Sequence, residues 1–171
     1  MTGVTMELSR DDQAVLAVLT RLQQFDATAM FDEIGAHLVS SVQQRFKRGV
    51  DPDGNAWEPL SDATMYARIG GGKARKKDGS LKVGAMRKLA NMAILVDRGH
   101  LRDSITYQAE SDGVVVGSNQ VYAAIHQLGG EAGRRSARVR IPARPYLGLS
   151  ADDRDQVMDI IRRRVRQAVD A

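Results

Sequence analysis

Met30, Ile34, Leu38, Val42 and Phe46 recur at four-residue intervals, and after Gly99 this spacing gives way to short runs of strand formers. Apolar residues every three to four positions make one stripe of an α-helix, whereas β-branched or alternating runs suit a half-buried strand. A chain that starts with helical stripes and then changes period must bury the two kinds of element against each other, which predicts an α+β fold. With 171 residues, 43% of them hydrophobic, it can close one core, so a single domain over 1–171 is expected.

Ser9 and Asp12 have the spacing of a helix cap, and Val15, Leu16, Leu19 and Leu22 supply an apolar face for a helix over about 10–24. Asp26 can cap the second helix, where Arg45, Lys47 and Arg48 suit the negative end of the dipole and Gly49 ends the run. Residues 51–55, Asp-Pro-Asp-Gly-Asn, read as a turn, and Trp57, the only tryptophan, reads as a packing anchor beyond it. A short helix over 61–69 is broken by Gly70, Gly71 and Gly72, which open a flexible basic insertion at about 70–88.

Met86, Leu89, Met92 and Leu95 have helical spacing within 86–97, and residues 105–110 and 114–117 flank a Ser-Asp-Gly turn as a β-hairpin. Residues 121–128 fit a short helix or a buried strand, and 138–141 alternate as an edge or half-buried strand does. Ser150 with Asp153 has cap spacing before Val157, Ile160, Ile161, Val165 and Ala168. The expected architecture is N-terminal helices, a long basic loop, a small antiparallel β-sheet and a C-terminal helix packed on the sheet.

The net charge of +4 is unevenly placed. Residues 73–88 hold seven basic side chains, Lys73, Arg75, Lys76, Lys77, Lys82, Arg87 and Lys88, against one acid, and 134–144 hold five arginines and no acid. The rest of the chain carries 13 basic and 20 acidic residues. An acidic body with two basic segments can meet its own copies with charge complementarity, or set those segments against an acidic partner or nucleic acid. A solvated loop is the plainer account of 73–88. No aromatic residue lies within 73–88 to stack on bases, and no nucleic-acid-binding signature accompanies the charge.

Several chemistries find no footing. No run of eighteen apolar residues and no basic-then-apolar N-terminus occurs, so neither a membrane span nor a secretory leader is expected. With no cysteine there is no disulfide, thiolate zinc site or cysteine nucleophile, and His37, His100 and His126 are too scattered to suggest a metal site. Asp51, Asp53, Asn55 and Asp62 resemble a calcium loop, but its glycine falls at the fourth position instead of the sixth and Asp replaces the bidentate Glu. Gly71-Gly72-Lys73 resembles the end of a phosphate loop, but Ala67 and Ala74 stand where Gly and Ser or Thr are needed. No catalytic residue, metal or cofactor is expected, and the chain should act through its surfaces.

Two stretches carry a family likeness. Arg45-Phe46 with Gly49, Asp51-Pro52-Asp53-Gly54 and Trp57-Glu58-Pro59-Leu60-Ser61 form the first. The second runs through Ile94-Leu95, Gly99, Leu101-Arg102, Ser104-Ile105, Val116-Gly117-Ser118, the block from Tyr122 to Gly130, and Ile141-Pro142-Ala143-Arg144-Pro145-Tyr146-Leu147-Gly148-Leu149. From about Asp26 to Val165 these blocks resemble, in order, the phage virion morphogenesis or tail completion family of Mu-like phages. The resemblance implies a non-enzymatic α+β protein of the virion, made in the bacterial cytoplasm and placed at the head-proximal end of the tail. There it forms a ring, hexameric in related proteins, that caps the tail tube and joins it to the head connector. Implied partners are other copies, the tail tube protein, connector or neck proteins, and DNA passing through the lumen without sequence-specific binding. A head-side neck or stopper component is the alternative, and a DNA-binding regulator a more distant one.

Within these blocks His126, Gln127, Arg138, Arg140, Arg144 and Tyr146 are candidate subunit or partner contacts, since aromatics and arginine concentrate in protein interfaces. The competing account has Gln127 and His126 satisfying backbone groups and Tyr146 plugging the core. The basic side chains of 73–88 form a candidate flexible partner-binding loop.

Overall fold

The computed structural model describes residues 10–170. Its elements run α1 (Arg10–Gln23), α2 (Thr28–Arg48), α3 (Asp62–Ile69), a 3-10 turn (Gly71–Ala74), α4 (Val83–Ala90), α5 (His100–Asp103), β1 (Ile105–Ala109), β2 (Val114–Ser118), α6 (Ala123–Leu128), β3 (Gly130–Arg134), β4 (Ala137–Ile141) and α7 (Ala151–Asp170). The fold is α+β, with two separate two-stranded antiparallel sheets, β1-β2 and β3-β4, where one small sheet was expected.

The four-residue stripe of α2 organises the molecule. Val42 and Phe46, on its C-terminal half, meet Trp57, Leu95, Leu101, Ile105 and Tyr146 in one core cluster. Met30 and Ile34, on its N-terminal half, meet Ile160 of α7 in a second, with Val114 of β2 packed against it. The hairpin therefore lies along α2, and α7 seats on α2 and α1. The stripe of α2 serves both the hairpin and α7, and the last helix meets the sheet where Val114 packs beside Ile160, Val157 and Ile161. Gly35 is where hairpin and helix come closest, since a Cβ there would stand 2.2 Å from Cδ2 of Tyr107. Tyr107 donates its hydroxyl to Asp32 at 2.8 Å and locks the same approach.

The helix punctuation follows the sequence. The cap position of α2 is Ala27, not the expected Asp26, though Asp26 Oδ1 still accepts from Thr28 N at 2.9 Å from one residue earlier; Gly49, at φ +69°, donates its N–H to Arg45 O at 2.7 Å. Ser61 caps α3 by accepting from Thr64 N. Ser150 and Asp153 exchange bonds at the start of α7, Asp153 N donating to Ser150 Oγ at 3.0 Å and Ser150 N to Asp153 Oδ2 at 2.9 Å. That is a capping box with Asp in the place of Glu. The cap expected from Ser9 and Asp12 lies outside the described residues. Asp51 accepts from its own turn, from Asp53 N and Asn55 N, as an Asx turn does.

Three expectations change. The apolar face of α1 is not fully buried within the chain: Val15, Leu16, Leu19 and Leu22 remain exposed, and the main contact of α1 is with α7, where Arg21 donates to Val169 O at 3.0 Å. The helix expected over 86–97 occurs earlier, at Val83–Ala90, because Asn91 closes it with bonds to Arg87 O, and Leu95 then turns back with a left-handed φ of +59°. The basic insertion also carries elements of its own. Arg75 and Leu81 bridge across a turn held by Asp78, which accepts from Ser80 N and Oγ, and α4 follows with Ala85 buried beneath it.

Candidate functional site, an interface cleft beside α6

Four side chains, half-buried Gln127 and buried Tyr146, Trp57 and Arg144, hold the chain around α6 in place. Gln127 Oε1 accepts from Tyr146 N and Leu147 N, each at 3.0 Å, while its Nε2 donates to Leu147 O, so one side chain clamps the segment that follows Pro145. Tyr146 is 1% exposed, donates its hydroxyl to Ala123 O, and packs on Phe46 with ring centroids 5.2 Å apart. Trp57 completes the cluster edge-on to Phe46 and donates Nε1–H to Pro145 O at 2.8 Å. Arg144 donates through Nε to Glu58 O and through Nη2 to Pro59 O, tying α6 and the β4 exit to the loop before α3.

A second polar knot lies behind this one. Arg45, 2% exposed, donates to the carbonyls of Tyr146 and Gly148 and pairs with Asp153, itself 2% exposed. Burial pushes the Asp153 carboxyl upward, but hydrogen bonds from Ser41 and Ser150 and the charge of Arg45 together outweigh it and hold the group below its ordinary value. His37 Nε2 stands 3.3 Å from Asp153 Oδ1, near enough to pair when protonated but without the alignment of a hydrogen bond.

Between α3, the turn entering α5, α6 and the β3-β4 hairpin lies a cleft of about 500 Å³. Its apolar walls include Pro59, Leu101, Tyr122 and Ile141; its charged lining includes Arg68, Arg98, Arg140 and Arg144 against Glu58 and Asp97. His126 lines it as well, with Nδ1 buried and unpartnered. Its pKa is held below the ordinary value first by burial and then by the charges of Arg144 and Arg68, so the imidazole is neutral at physiological pH.

The structure thus divides the six candidate contact residues. Gln127, Arg144 and Tyr146 are bonded inside the subunit, His126 is half-buried in the cleft wall, and Arg138 and Arg140 stand exposed on β4. Arg138 reaches only Glu131 across its own hairpin, at 2.9 Å. Lys73, Arg75, Lys76, Lys77, Lys82, Arg87 and Lys88 are all exposed. Among the described residues no group of three His, Cys, Asp or Glu side chains could hold a metal ion. Sequence reasoning missed Arg68 and the Arg45–Asp153 pair, whose members lie 108 positions apart; the helical phase of Arg45, on the same side of α2 as Val42 and Phe46, was the available signal.

Fold and surface thus define a small α+β protein whose buried Arg45, Trp57, Arg144, Tyr146 and Asp153 are bonded within the subunit. Residues 10–166 match the model of the phage virion morphogenesis family, and the chain belongs to that family. The match begins well before Asp26 and so takes in α1. The chain is 36% identical over 137 residues to the putative capsid assembly protein G of Escherichia phage Mu, covering 80% of this chain and 78% of that protein. It is 32% identical over 151 residues, 87% of each, to the Mu-like prophage FluMu G protein 2 of Haemophilus influenzae. No solved structure matches it. The protein therefore has a structural or assembly role in building the phage virion, and no helix among its described residues is long and apolar enough to cross a membrane.

Proposed function

We propose that this chain is a tail completion or terminator protein, a ring at the head-proximal end of the tail that caps the tube and joins it to the head connector, with DNA passing through its lumen. The observation that carries this reading is the segregation of charge on the surface. Eleven of the twelve basic side chains in 73–88 and 134–144 are exposed, Arg144 being the exception, while the rest of the chain is net acidic. Ring closure needs unlike patches on one subunit, and such a surface supplies them. In this reading the β3-β4 hairpin meets an acidic neighbour, and the insertion of α4 and its preceding turn meets the tail tube or a neck protein. In this reading the ring is a hexamer, the number that the resemblance to the tail completion family implies. No enzymatic step is assigned to it.

The description of the Mu relative as a capsid assembly protein favours a second reading, a head-side neck or stopper component. Electron microscopy of virions carrying a gold-labelled chain distinguishes the two. Label between head and tail that stays with isolated tails is the expected result. Label retained on tailless heads supports the second reading, and label at the distal tip, or none in particles, overturns both.

A further inference from the structure

A closed ring is built from heterologous contacts, one patch of each subunit meeting a different patch on the next. The cleft beside α6 has the properties of one such patch. Arg144 is 5% exposed, yet its guanidinium is bonded only to carbonyls and pairs with no carboxylate among the described residues. Arg68, with 20% of its side chain exposed, donates to Ala93 O and approaches only Asp97, at 3.9 Å. A cation withdrawn from water without a close counter-charge is costly, and a carboxylate entering between apolar walls relieves that cost. Arg98 and Arg140 at the cleft surface extend the same field outward.

The complementary patch lies on the β1-β2 hairpin. Its tip, Glu110-Ser111-Asp112, is exposed, and neither carboxylate forms an ion pair among the described residues; Glu110 meets only Gln108 Nε2, at 3.2 Å. The two patches are far apart in one subunit. The cleft shares Leu95 and Leu101 with the core cluster at the C-terminal half of α2, whereas Val114, just past the tip, packs by Met30 and Ile34 near its N-terminus. Met30 and Phe46, which anchor the two ends, are separated by roughly 24 Å along the axis of α2, so the tip does not meet the cleft of its own chain.

We propose that the acidic hairpin tip of one copy docks in the Arg68–Arg144 cleft of the next, head to tail, with the tip carboxylates adding to Glu58 and Asp97 against the four arginines of the lining. The inference rests on the self-assembling reading given above and names its contact.

The chain has no cysteine, so a single engineered pair reports the contact without background. Asp112→Cys with Arg98→Cys, both at exposed positions, should give a ladder of disulfide-linked copies under mild oxidation, in purified protein and in virions, that neither single variant gives. In parallel, Glu110→Lys with Asp112→Lys, or Arg98→Glu with Arg140→Glu, should each weaken oligomer formation by at least about tenfold in light scattering, and combining all four should restore it. Virions that incorporate the chain but give no ladder, with oligomers indifferent to either reversal, overturn the docking and leave the assembly reading standing. A chain absent from virions and monomeric at every concentration overturns both. If the cleft reversal spares oligomers but abolishes binding to duplex DNA, the cleft serves phosphate and the docking is wrong.

Discussion

At the residue scale, the decisive contacts join positions far apart in sequence. Removing one member of a buried ion pair leaves the other charge uncompensated, so Asp153→Ala should lower stability by about 3–5 kcal/mol in denaturant titrations. The pair also sets an acid limit. Because the folded Asp153 carboxyl lies below its ordinary value of 3.8, its contribution is fully present above that value and is lost as pH falls through the lower folded one. His126 acts at milder pH. Its folded pKa lies below the ordinary 6.5, so the unfolded chain binds the extra proton and stability falls as pH drops through that value. His126→Gln should flatten the decline of the melting temperature between pH 7 and pH 5, and an unchanged slope would remove His126 from the account. Gly35→Ala drives a Cβ into the Tyr107 ring, with a cost of about 1–3 kcal/mol expected from overpacking.

At the scale of elements, the long periodic segments and their caps were legible, and the pieces defined by partners were not. The stripe of α2, the stop at Gly49, the short helix from Ser61 and the Ser150–Asp153 box could all be read because each depends on residues within a turn or two of one another. β3 was not readable: Gly-Glu-Ala-Gly-Arg has no strand formers and is a strand only because β4 pairs with it, Gly133 admitting the close approach of Ala137 O at φ +108°. For the same reason the six candidate contact residues could be found but not sorted, since only the fold turns Gln127, Arg144 and Tyr146 inward and leaves Arg138 and Arg140 outside. The exposed face of α1 gives a test at this scale. Leu19→Ser should cost the isolated chain only about 1 kcal/mol, because roughly half of that side chain is already in water; a loss of several times that would show α1 to be part of the core.

At the scale of the whole molecule, the buried polar groups hold one chain together, and the basic side chains of 73–88 and 134–144, Arg138 apart, form no ion pair among the described residues. Two core clusters strung along α2 give a rigid body, and the β3-β4 hairpin and the insertion of α4 project basic side chains from it. Electrostatic contacts of this kind weaken with ionic strength, so assembly should be progressively inhibited by salt at concentrations that leave the circular dichroism of the subunit unchanged. The central claim is that the chain works by cohesion at the end of a tail tube. Adding purified protein to polymerising tail tubes and imaging them measures this directly. The account predicts tubes that stop growing, each with a ring of the chain at one end; tubes that elongate as before, with no chain sedimenting alongside them, would contradict it.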